Sequence, residues 1–246
     1  MKIKTKYWEY SIFLIGMLMM VNISCIKEND NGNEIYIYYD STGTVIDVEG
    51  NEYRTIKVDT QWWMAENLTT TKYRNGDPIP NITEDTAWSN LASGAYCKYD
   101  NSTTISPIYA KLYNFYAVCD PRGLAPEGWH VPSDGEWITL IDYLGGEDVA
   151  GGKMKIMGSI ADFGCCWSHP NTGATNSSGF SAIPCGERIN NGSFANLHAF
   201  ALWWTTTPEN IEETVHHSRY VVNDETIIFT GHPSMNWGLS VRCIKD

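Results

Sequence analysis

The chain has 246 residues, of which 43% are apolar, 13% aromatic and 19% charged, and its net charge at pH 7 is −12. The apolar fraction is large enough for a folded core and excludes disorder over most of the chain. The negative charge and the lack of a basic stripe exclude a nucleic-acid partner, since phosphate binding needs clustered Lys and Arg.

The N-terminal segment has the form of an export signal. Three lysines precede an apolar run at residues 12–21, which is too short to span a bilayer and has the length of a signal-peptide core. The run closes on Asn22-Ile23-Ser24-Cys25. This tetrapeptide resembles a bacterial lipoprotein box, except that an aliphatic residue is more usual at Asn22.

This segment predicts lipidation of Cys25, with plain secretion as the alternative. Residues 1–24 are then a lipoprotein signal peptide, and 25–43 are a polar tether that includes a short predicted strand at Ile35–Tyr39. The residues that follow Cys25 resemble the acidic export tag of surface lipoproteins in the Bacteroides group. We therefore expect an outer-membrane protein that is anchored in the membrane by its lipid and exposed at the cell surface.

The next part of the chain has the pattern of β-structure. Two β-rich runs, Val45–Glu49 and Glu52–Val58, flank Gly50-Asn51 and predict a hairpin. Gln61–Leu68 predicts another strand that leads into a turn, and Tyr96–Tyr99 predicts a brief strand.

Two less regular stretches favour helices. Thr86–Leu91 predicts a short helix. The spacing of Tyr109, Leu112 and Phe115 predicts a longer helix over Tyr109–Val118.

The best-marked helix follows Pro132. Ser133 is placed to cap it, and Glu136 three residues later completes a capping box. Apolar residues recur at i, i+3, i+4 and i+7 from Trp137, and Gly145-Gly146 ends the helix.

Residues 158–200 are rich in Gly, Asn, Ser and Thr and have little periodicity. Such a long tract inside a domain is typical of a functional or cross-linked segment. Four β-rich segments then predict an antiparallel meander, namely Leu202–Thr207, Thr214–Val222, Glu225–Phe229 and Leu239–Ile244. Because no repeat or linker divides the chain, residues 44–246 are predicted to form one domain.

Six cysteines follow Cys25, an even number that permits up to three disulfides in an exported chain. They are Cys97, Cys119, Cys165, Cys166, Cys185 and Cys243. Because no C-x-x-C spacing occurs, no zinc site is predicted, and no cofactor is expected. Pro208-Glu209-Asn210 and Val222-Asn223-Asp224 resemble, in altered form, two elements of calcium-dependent lectins. Short acidic segments of this kind are favoured as turns, with a calcium site as the alternative.

Seven motifs are spread over the predicted domain. They are Gly50–Tyr53, Gln61–Leu68, Tyr113–Val118, Gly128–Ser133, Gly151–Lys155, Asn176–Phe180 and Ser240–Cys243. In this order they resemble the Fibrobacter succinogenes major paralogous domain, a family found in bacterial surface and secreted lipoproteins. The similarity runs from about Thr44 to Asp246.

The resemblance implies an α+β fold similar to the C-type-lectin-like and formylglycine-generating-enzyme folds. In these folds two helices pack on a twisted antiparallel sheet with long irregular loops, and the sheet brings the chain ends together. Family members often carry Cys just before Pro-x-Gly-Trp-His, where this chain has Ala125. The resemblance therefore implies a changed disulfide pattern.

The similarity to formylglycine-generating oxidases, which use a copper-binding cysteine pair, makes an oxidase the alternative function. Adjacent Cys165 and Cys166 cannot easily supply that pair from a strand, because neighbouring side chains point to opposite faces. Disulfides are the favoured interpretation in an exported chain. Asp134 and Glu136 are explained by the first turn of the capped helix rather than by catalysis.

The candidate ligand-binding residues are Trp203, Trp204 and Trp237, which lie beside polar loops. In a strand, one of Trp203 and Trp204 should face the core and the other the outside, and an exposed indole is a natural platform for a sugar or a protein. We therefore predict a non-catalytic, surface-displayed binding or adhesion module whose ligand is a glycan or a protein. The alternatives are an oxidase-like enzyme and a structural subunit of a surface assembly such as a fimbria.

Overall fold

The hairpin predicted around Gly50-Asn51 forms the first two strands of a five-stranded antiparallel sheet. The structure is a computed structural model that describes residues 42–102, 109–158, 167–208 and 216–246. The strands of this sheet, in spatial order, are β1 (Thr42–Ile46), β2 (Glu52–Val58), β3 (Gln61–Met64), β12 (Ile244–Lys245) and β6 (Trp129–His130). Because β12 lies between β3 and β6, the last residues of the chain join the sheet that the first strands build.

The predicted meander forms a second, three-stranded antiparallel sheet. It has the order β11-β10-β9, with β9 (Phe200–Pro208), β10 (His216–Val222) and β11 (Ile228–Gly231). Two short pairs are also present, β4 (Tyr96–Cys97) with β5 (Leu112–Tyr113), and β7 (Glu187–Arg188) with β8 (Phe194–Ala195).

The helices are few, and the two longest pack on the meander. They are α1 (Asp85–Ser89), α2 (Phe115–Val118), α3 (Asp134–Tyr143) and α4 (Glu147–Met154). α3 begins at the predicted capping box, in which Ser133 N donates to Glu136 Oε2 at 2.7 Å and Glu136 N donates to Ser133 Oγ. α3 contacts β9 and β10, and α4 contacts β11, so the fold is α+β. Within the described ranges, no helix is long and apolar enough to cross a membrane.

Tyr109–Val118 is not one helix, contrary to the expectation from its spacing. Leu112–Tyr113 is the strand β5, and only Phe115–Val118 is helical. Main-chain hydrogen bonds between Tyr113 and Leu239, at 2.8 and 3.0 Å, hold the first part extended. Asn114 then starts α2, because its side chain accepts a hydrogen bond from Ala117 N. Tertiary pairing therefore overrides a helical spacing that extends over only ten residues.

Leu239–Ile244 is not the fourth strand of the meander. Leu239 pairs with Tyr113, Ser240 bridges Trp203, and only the end of the segment is regular, as β12 in the other sheet. The segment passes from one sheet to the other. Its apolar side chains are therefore buried between the sheets, although no single strand pairs with it along its length.

Three clusters of buried side chains form the core. The first is built by α3, α4 and one face of the meander, and includes Trp63, Trp137, Phe180 and Trp203. The second lies against the other face of β9, and includes Met64, Tyr113, Trp204 and Val241. The third, smaller cluster includes Trp88, Cys97, Leu112 and Cys185.

Several predicted features lie outside the described residues. These are the signal peptide at 1–24, the lipidation site Cys25, nearly all of the tether at 25–43 with its predicted strand Ile35–Tyr39, and the adjacent cysteines Cys165 and Cys166.

Cys97, Cys185 and Cys243 carry free thiols. The prediction that these three residues form disulfides is therefore wrong. All three are packed in the core as small apolar residues, and Cys185 Sγ accepts a hydrogen bond from Asn67 Nδ2 at 3.1 Å. Burial raises the pKa of the Cys97 thiol to about 12 and that of Cys185 to about 11, which disfavours the reactive thiolate. Cys119 is exposed.

Candidate binding surface

The expectation that one of Trp203 and Trp204 is exposed is wrong. Their side chains do alternate, but each enters a different core cluster, and both are fully buried. Trp203 Nε1 donates to Asn67 Oδ1 at 2.9 Å, and Trp204 Nε1 donates to the carbonyl oxygen of Tyr113 at 2.7 Å. Because both faces of β9 are covered here, these two indoles are unavailable to a ligand.

Trp237 is half-buried and packs against the second core cluster. It follows β11, in a turn where Trp237 N donates to the carbonyl oxygen of Ser234 at 2.9 Å. Of the three tryptophans named as ligand candidates, Trp237 alone retains accessible surface.

The meander carries a row of three half-buried aromatic rings, one from each strand. The centroids of Phe200 and Tyr220 are 5.9 Å apart, with the ring planes 6° from parallel. The centroids of Tyr220 and Phe229 are 5.1 Å apart, with an interplanar angle of 18°. We call Phe200, Tyr220 and Phe229 the aromatic row. Aromatic pairs of this kind stabilise by about 0.5–1.5 kcal/mol each, so the rings form one ordered strip.

Strand register places these rings together. Tyr220 is directly opposite Phe229 across β10 and β11, and Val222 is opposite Phe200 across β10 and β9. Alternation puts Val221 on the other face, in the first core cluster. The sequence contains each of these aromatic residues within or next to a predicted strand, but their alignment needs the register of two strand pairs.

The polar β10–β11 turn borders the Phe200 end of the aromatic row. Asn223 N donates to the carbonyl oxygen of Ala199 at 2.9 Å, and this contact places the β10–β11 turn beside the residue that precedes Phe200. Asp224 in that turn is exposed. An apolar strip with a polar border is the usual composition of a contact surface.

Three fully buried cations donate chiefly to main-chain carbonyls. Arg188 donates to the carbonyls of Gly192, Ile82 and Thr83 and pairs with Asp85. Arg242 donates to those of Met64, Phe180 and Ser181. Lys155 Nζ donates to those of Val222 and Glu225, and burial lowers the pKa of its ammonium group to about 8. These cations hold the irregular segments of the chain together.

The two carboxylates at the start of α3 also have structural partners. Asp134 accepts two hydrogen bonds from the Arg219 guanidinium, at 2.8 and 3.0 Å. Glu136 accepts from Ser133 and contacts His130. Across the part of the chain that the structure describes, no three His, Cys, Asp or Glu side chains are grouped so that they could hold a metal ion.

Comparison with known proteins identifies the family. The family model of the Fibrobacter succinogenes major domain matches residues 56–245, well over half of the chain. No curated protein and no solved structure matches the chain. The matched range contains the end of β2, all of β3 and β12, the meander and the four α-helices of the described residues. The chain therefore belongs to the Fibrobacter succinogenes major domain family.

Proposed function

We propose that the chain is a non-catalytic binding or adhesion module, displayed on the bacterial surface, that contacts its ligand through the aromatic row. The observation that carries this proposal is the ordered stack of Phe200, Tyr220 and Phe229, which is half-buried on the meander and keeps accessible surface. Aromatic side chains supply large contact area at low cost in side-chain entropy, and they are enriched in interfaces.

A protein ligand suits the aromatic row better than a glycan. Because neighbouring rings in the row lie nearly parallel, Tyr220 is covered on both faces and the row presents mainly ring edges. A sugar needs an open ring face for stacking, whereas a row of edges forms a flat apolar strip that can pack against another protein surface.

The buried cations support a binding role rather than catalysis. Lys155, Arg188 and Arg242 donate chiefly to main-chain acceptors, and such residues stabilise loops. An oxidase would need a reactive thiol pair, and burial disfavours the thiolates of the described Cys97 and Cys185 by raising their pKa values.

The proposal includes a C-type-lectin-like fold. Two features support it: α3 and α4 pack on antiparallel sheet, and β12 joins the sheet that begins with β1, so the first and last strands of the described residues lie in one sheet.

Attachment to the outer membrane through a lipid on Cys25 is also part of the proposal. The support is in the sequence, where a basic start and an apolar run precede Cys25. Expression with a radiolabelled fatty acid tests it: wild type should be labelled and Cys25→Ala should not. Equal labelling of both would contradict the proposal.

The ligand-binding proposal is tested with the full chain, purified in detergent, on arrays of extracellular matrix proteins and of glycans. Tyr220→Ser and Phe229→Ser should lower binding to a protein ligand at least about tenfold, because each removes an aromatic contact of the kind that dominates interfaces. Tyr143→Ser is the matched control, since Tyr143 is 60% exposed on α3 and lies outside the aromatic row.

Thermal unfolding of each variant shows whether weaker binding comes from loss of a contact with the ligand or from unfolding of the variant. Binding that is lost in the two row variants and retained in Tyr143→Ser supports the proposal. Absence of binding to any protein, or equal loss in all three variants, contradicts it.

A further inference from the structure

A second candidate site is a cleft of about 250 Å³ at the end of β1. It lies between the β1–β2 turn, the loop 70–74 and the loop 124–127, and we call it the hairpin cleft. It belongs to the five-stranded sheet, whereas the aromatic row belongs to the meander. The two sites can therefore be tested independently.

Hydrogen bonds fix the first two walls of the hairpin cleft. Asp47 Oδ1 accepts from the main-chain nitrogens of Glu49 and Asn51 at 2.9 and 3.0 Å, and Asp47 Oδ2 accepts from Tyr53 Oη at 2.7 Å. The carboxylate of Glu49 then accepts from Thr70 Oγ1 and from Thr71, and so connects the turn to the loop 70–74. The cleft is therefore preformed, which lowers the entropic cost of binding.

Arg74 joins the second wall to the third. Its Nε donates to the carbonyl oxygen of Ala125 at 2.9 Å, and its Nη2 donates to that of Trp129 at 2.7 Å. These two bonds fix the guanidinium plane at the cleft. They leave Nη1 without a hydrogen bond to any residue in the described ranges.

Arg74 is unusual among the six arginines of the chain. Arg54, Arg122, Arg188 and Arg219 form ion pairs, and Arg242 is buried among carbonyl oxygens. Neither Arg74 nor its cleft neighbour Lys72 forms an ion pair in the described part of the chain. Burial opposes the ionised form of the nearby Glu49 carboxylate, but hydrogen bonds from the loop 70–74 and the charge of Lys72 lower its pKa. Asp47 also lines the cleft, but its carboxylate is already bound by Glu49 N, Asn51 N and Tyr53 Oη. Arg74 and Lys72 are therefore the cleft groups that can contact an external anion.

Exposed aliphatic side chains line the same cleft. Ile46 is 60% exposed and Val48 is 49% exposed, and both are among the few large apolar residues that the fold leaves in solvent. None of the described residues that line the cleft is aromatic, so they offer a sugar ring no stacking partner. β1 is also the edge of its sheet in the described ranges, and an edge strand can pair with an extended peptide.

We infer that the hairpin cleft binds an extended acidic segment of a partner protein. A carboxylate of that segment contacts Arg74 and Lys72, and a neighbouring aliphatic side chain packs on Ile46 and Val48. Glu127 also lines the cleft and is exposed, so its negative charge limits the affinity for such a segment.

The test is fluorescence polarisation with the full chain in detergent. The probes, each with a fluorescein label, are the peptide Glu-Ile-Glu-Val-Glu-NH2, its uncharged twin Gln-Ile-Gln-Val-Gln-NH2, and a galacturonate tetramer. The acidic peptide should bind at low salt and weaken as salt rises, and the twin should bind at least about tenfold more weakly.

Variants locate the site. Arg74→Gln should weaken the acidic peptide about tenfold, Lys72→Gln roughly two- to threefold, and Glu127→Gln should strengthen it roughly twofold. Arg74→Lys keeps the positive charge but loses the planar arrangement of guanidinium donors. The resulting decrease in affinity should be smaller than that of Arg74→Gln. Arg54→Gln, which removes an exposed arginine elsewhere on the sheet, is the control and should have no effect. Thermal unfolding of each variant confirms that it is folded.

Peptide binding that depends on Arg74 and not on Arg54 supports the inference. Binding of the galacturonate tetramer without the peptide overturns the peptide assignment. Failure of the acidic peptide to bind, or equal losses in Arg74→Gln and Arg54→Gln, overturns the inference as a whole and leaves the proposal for the aromatic row untouched.

Discussion

Nε2 of His130 lies 2.8 Å from Oε1 of Glu136, the residue that closes the capping box of α3. Nδ1 of the same ring lies 2.6 Å from Oδ1 of Asp246. Because an ionised carboxylate only accepts hydrogen bonds, these two contacts favour the charged imidazole, in which both ring nitrogens donate. His130 therefore joins the start of α3 to the residue that follows β12.

This contact predicts a pH-dependent contribution to stability. Burial opposes the charged ring, but the hydrogen bonds to Asp246 and Glu136 outweigh it and raise the pKa of His130 above its usual 6.5. The contribution is then complete below pH 6.5 and is lost as the pH rises through the raised pKa. His130→Gln should lower the free energy of unfolding by up to about 1 kcal/mol at pH 6, since the ring is partly exposed. At pH 9 the loss should be smaller.

Urea unfolding of both proteins at the two pH values measures this difference. Lys245→Gln, an exposed neighbour in β12, is the control and should show no such pH dependence. A loss for His130→Gln that is equal at pH 6 and pH 9 would exclude the charged bridge.

Gly151 and Gly152 allow α4 to approach the main chain of other segments. A Cβ atom at Gly151 would lie 2.5 Å from the carbonyl oxygen of Ile227, and one at Gly152 would lie 2.7 Å from that of Gly173. Alanine is the better helix former by about 1 kcal/mol. Even so, Gly151→Ala should lower the free energy of unfolding by about 1–3 kcal/mol, because α4 would have to move away.

Gly135 in α3 supplies the matched control. The nearest atom to a Cβ there is Ser133 Oγ at 4.0 Å, so Gly135→Ala should raise the free energy of unfolding by about 0.5–1 kcal/mol. Thermal and urea unfolding of the two variants should therefore give opposite signs. Stabilisation by both substitutions would show that α4 does not pack as closely as described.

These two helices show what sequence patterns can and cannot predict. α3 was predictable because its cap, its apolar stripe and its final glycines are local signals. α4 was missed because Gly151 and Gly152 lower its helix propensity, and the reason for them is contact with Ile227 and Gly173, which are distant in sequence.

The candidate binding surfaces also combine features that the sequence predicts with features that it does not. Strand alternation at Trp203 and Trp204 was predicted correctly, but the conclusion that one is exposed failed because both faces of β9 are covered. The aromatic row depends on the register of three strands, and the hairpin cleft depends on loops joined by Glu49 and Arg74. Local sequence patterns do not contain these relationships.

Glu187 is a buried carboxyl group with one partner. Its Oε1 accepts from Asn196 Nδ2 at 2.7 Å, and its Oε2 has no hydrogen-bond partner among the described residues. Burial raises the pKa of Glu187 to about 7, and the bond to Asn196 offsets only part of this effect. Since the usual value is 4.5, the folded state holds the proton more tightly than the unfolded state. Stability should therefore fall between pH 4.5 and 7, by up to about 3 kcal/mol.

Glu187→Gln keeps the acceptor for Asn196 and removes the charge. It should be more stable than wild type at pH 8, by up to about 3 kcal/mol, and close to wild type at pH 4.5. Urea unfolding at both pH values measures the effect. Glu84→Gln, an exposed substitution before α1, should change stability little at either pH. A Glu187→Gln variant that is less stable at pH 8 would contradict this account.

Arg242 is the most connected of the buried cations. Its guanidinium donates to Asn67 Oδ1 and to the carbonyls of Met64, Phe180 and Ser181, and it stacks at 4.4 Å on the Phe180 ring. It thereby holds the end of the irregular tract against β3. Burial lowers the pKa of the guanidinium, yet the group remains charged at neutral pH.

Arg242→Met should lower the free energy of unfolding by about 3–5 kcal/mol, because it leaves these buried acceptors without a donor. Arg54→Met is the control, since Arg54 forms an exposed ion pair with Glu66 and should cost at most about 1 kcal/mol. A double-mutant cycle with Asn67→Ala should show a coupling energy of about 0.5–3 kcal/mol, since the two side chains share a hydrogen bond. Equal losses for the two arginine variants, or a coupling energy of zero, would mean that the guanidinium does not hold the tract.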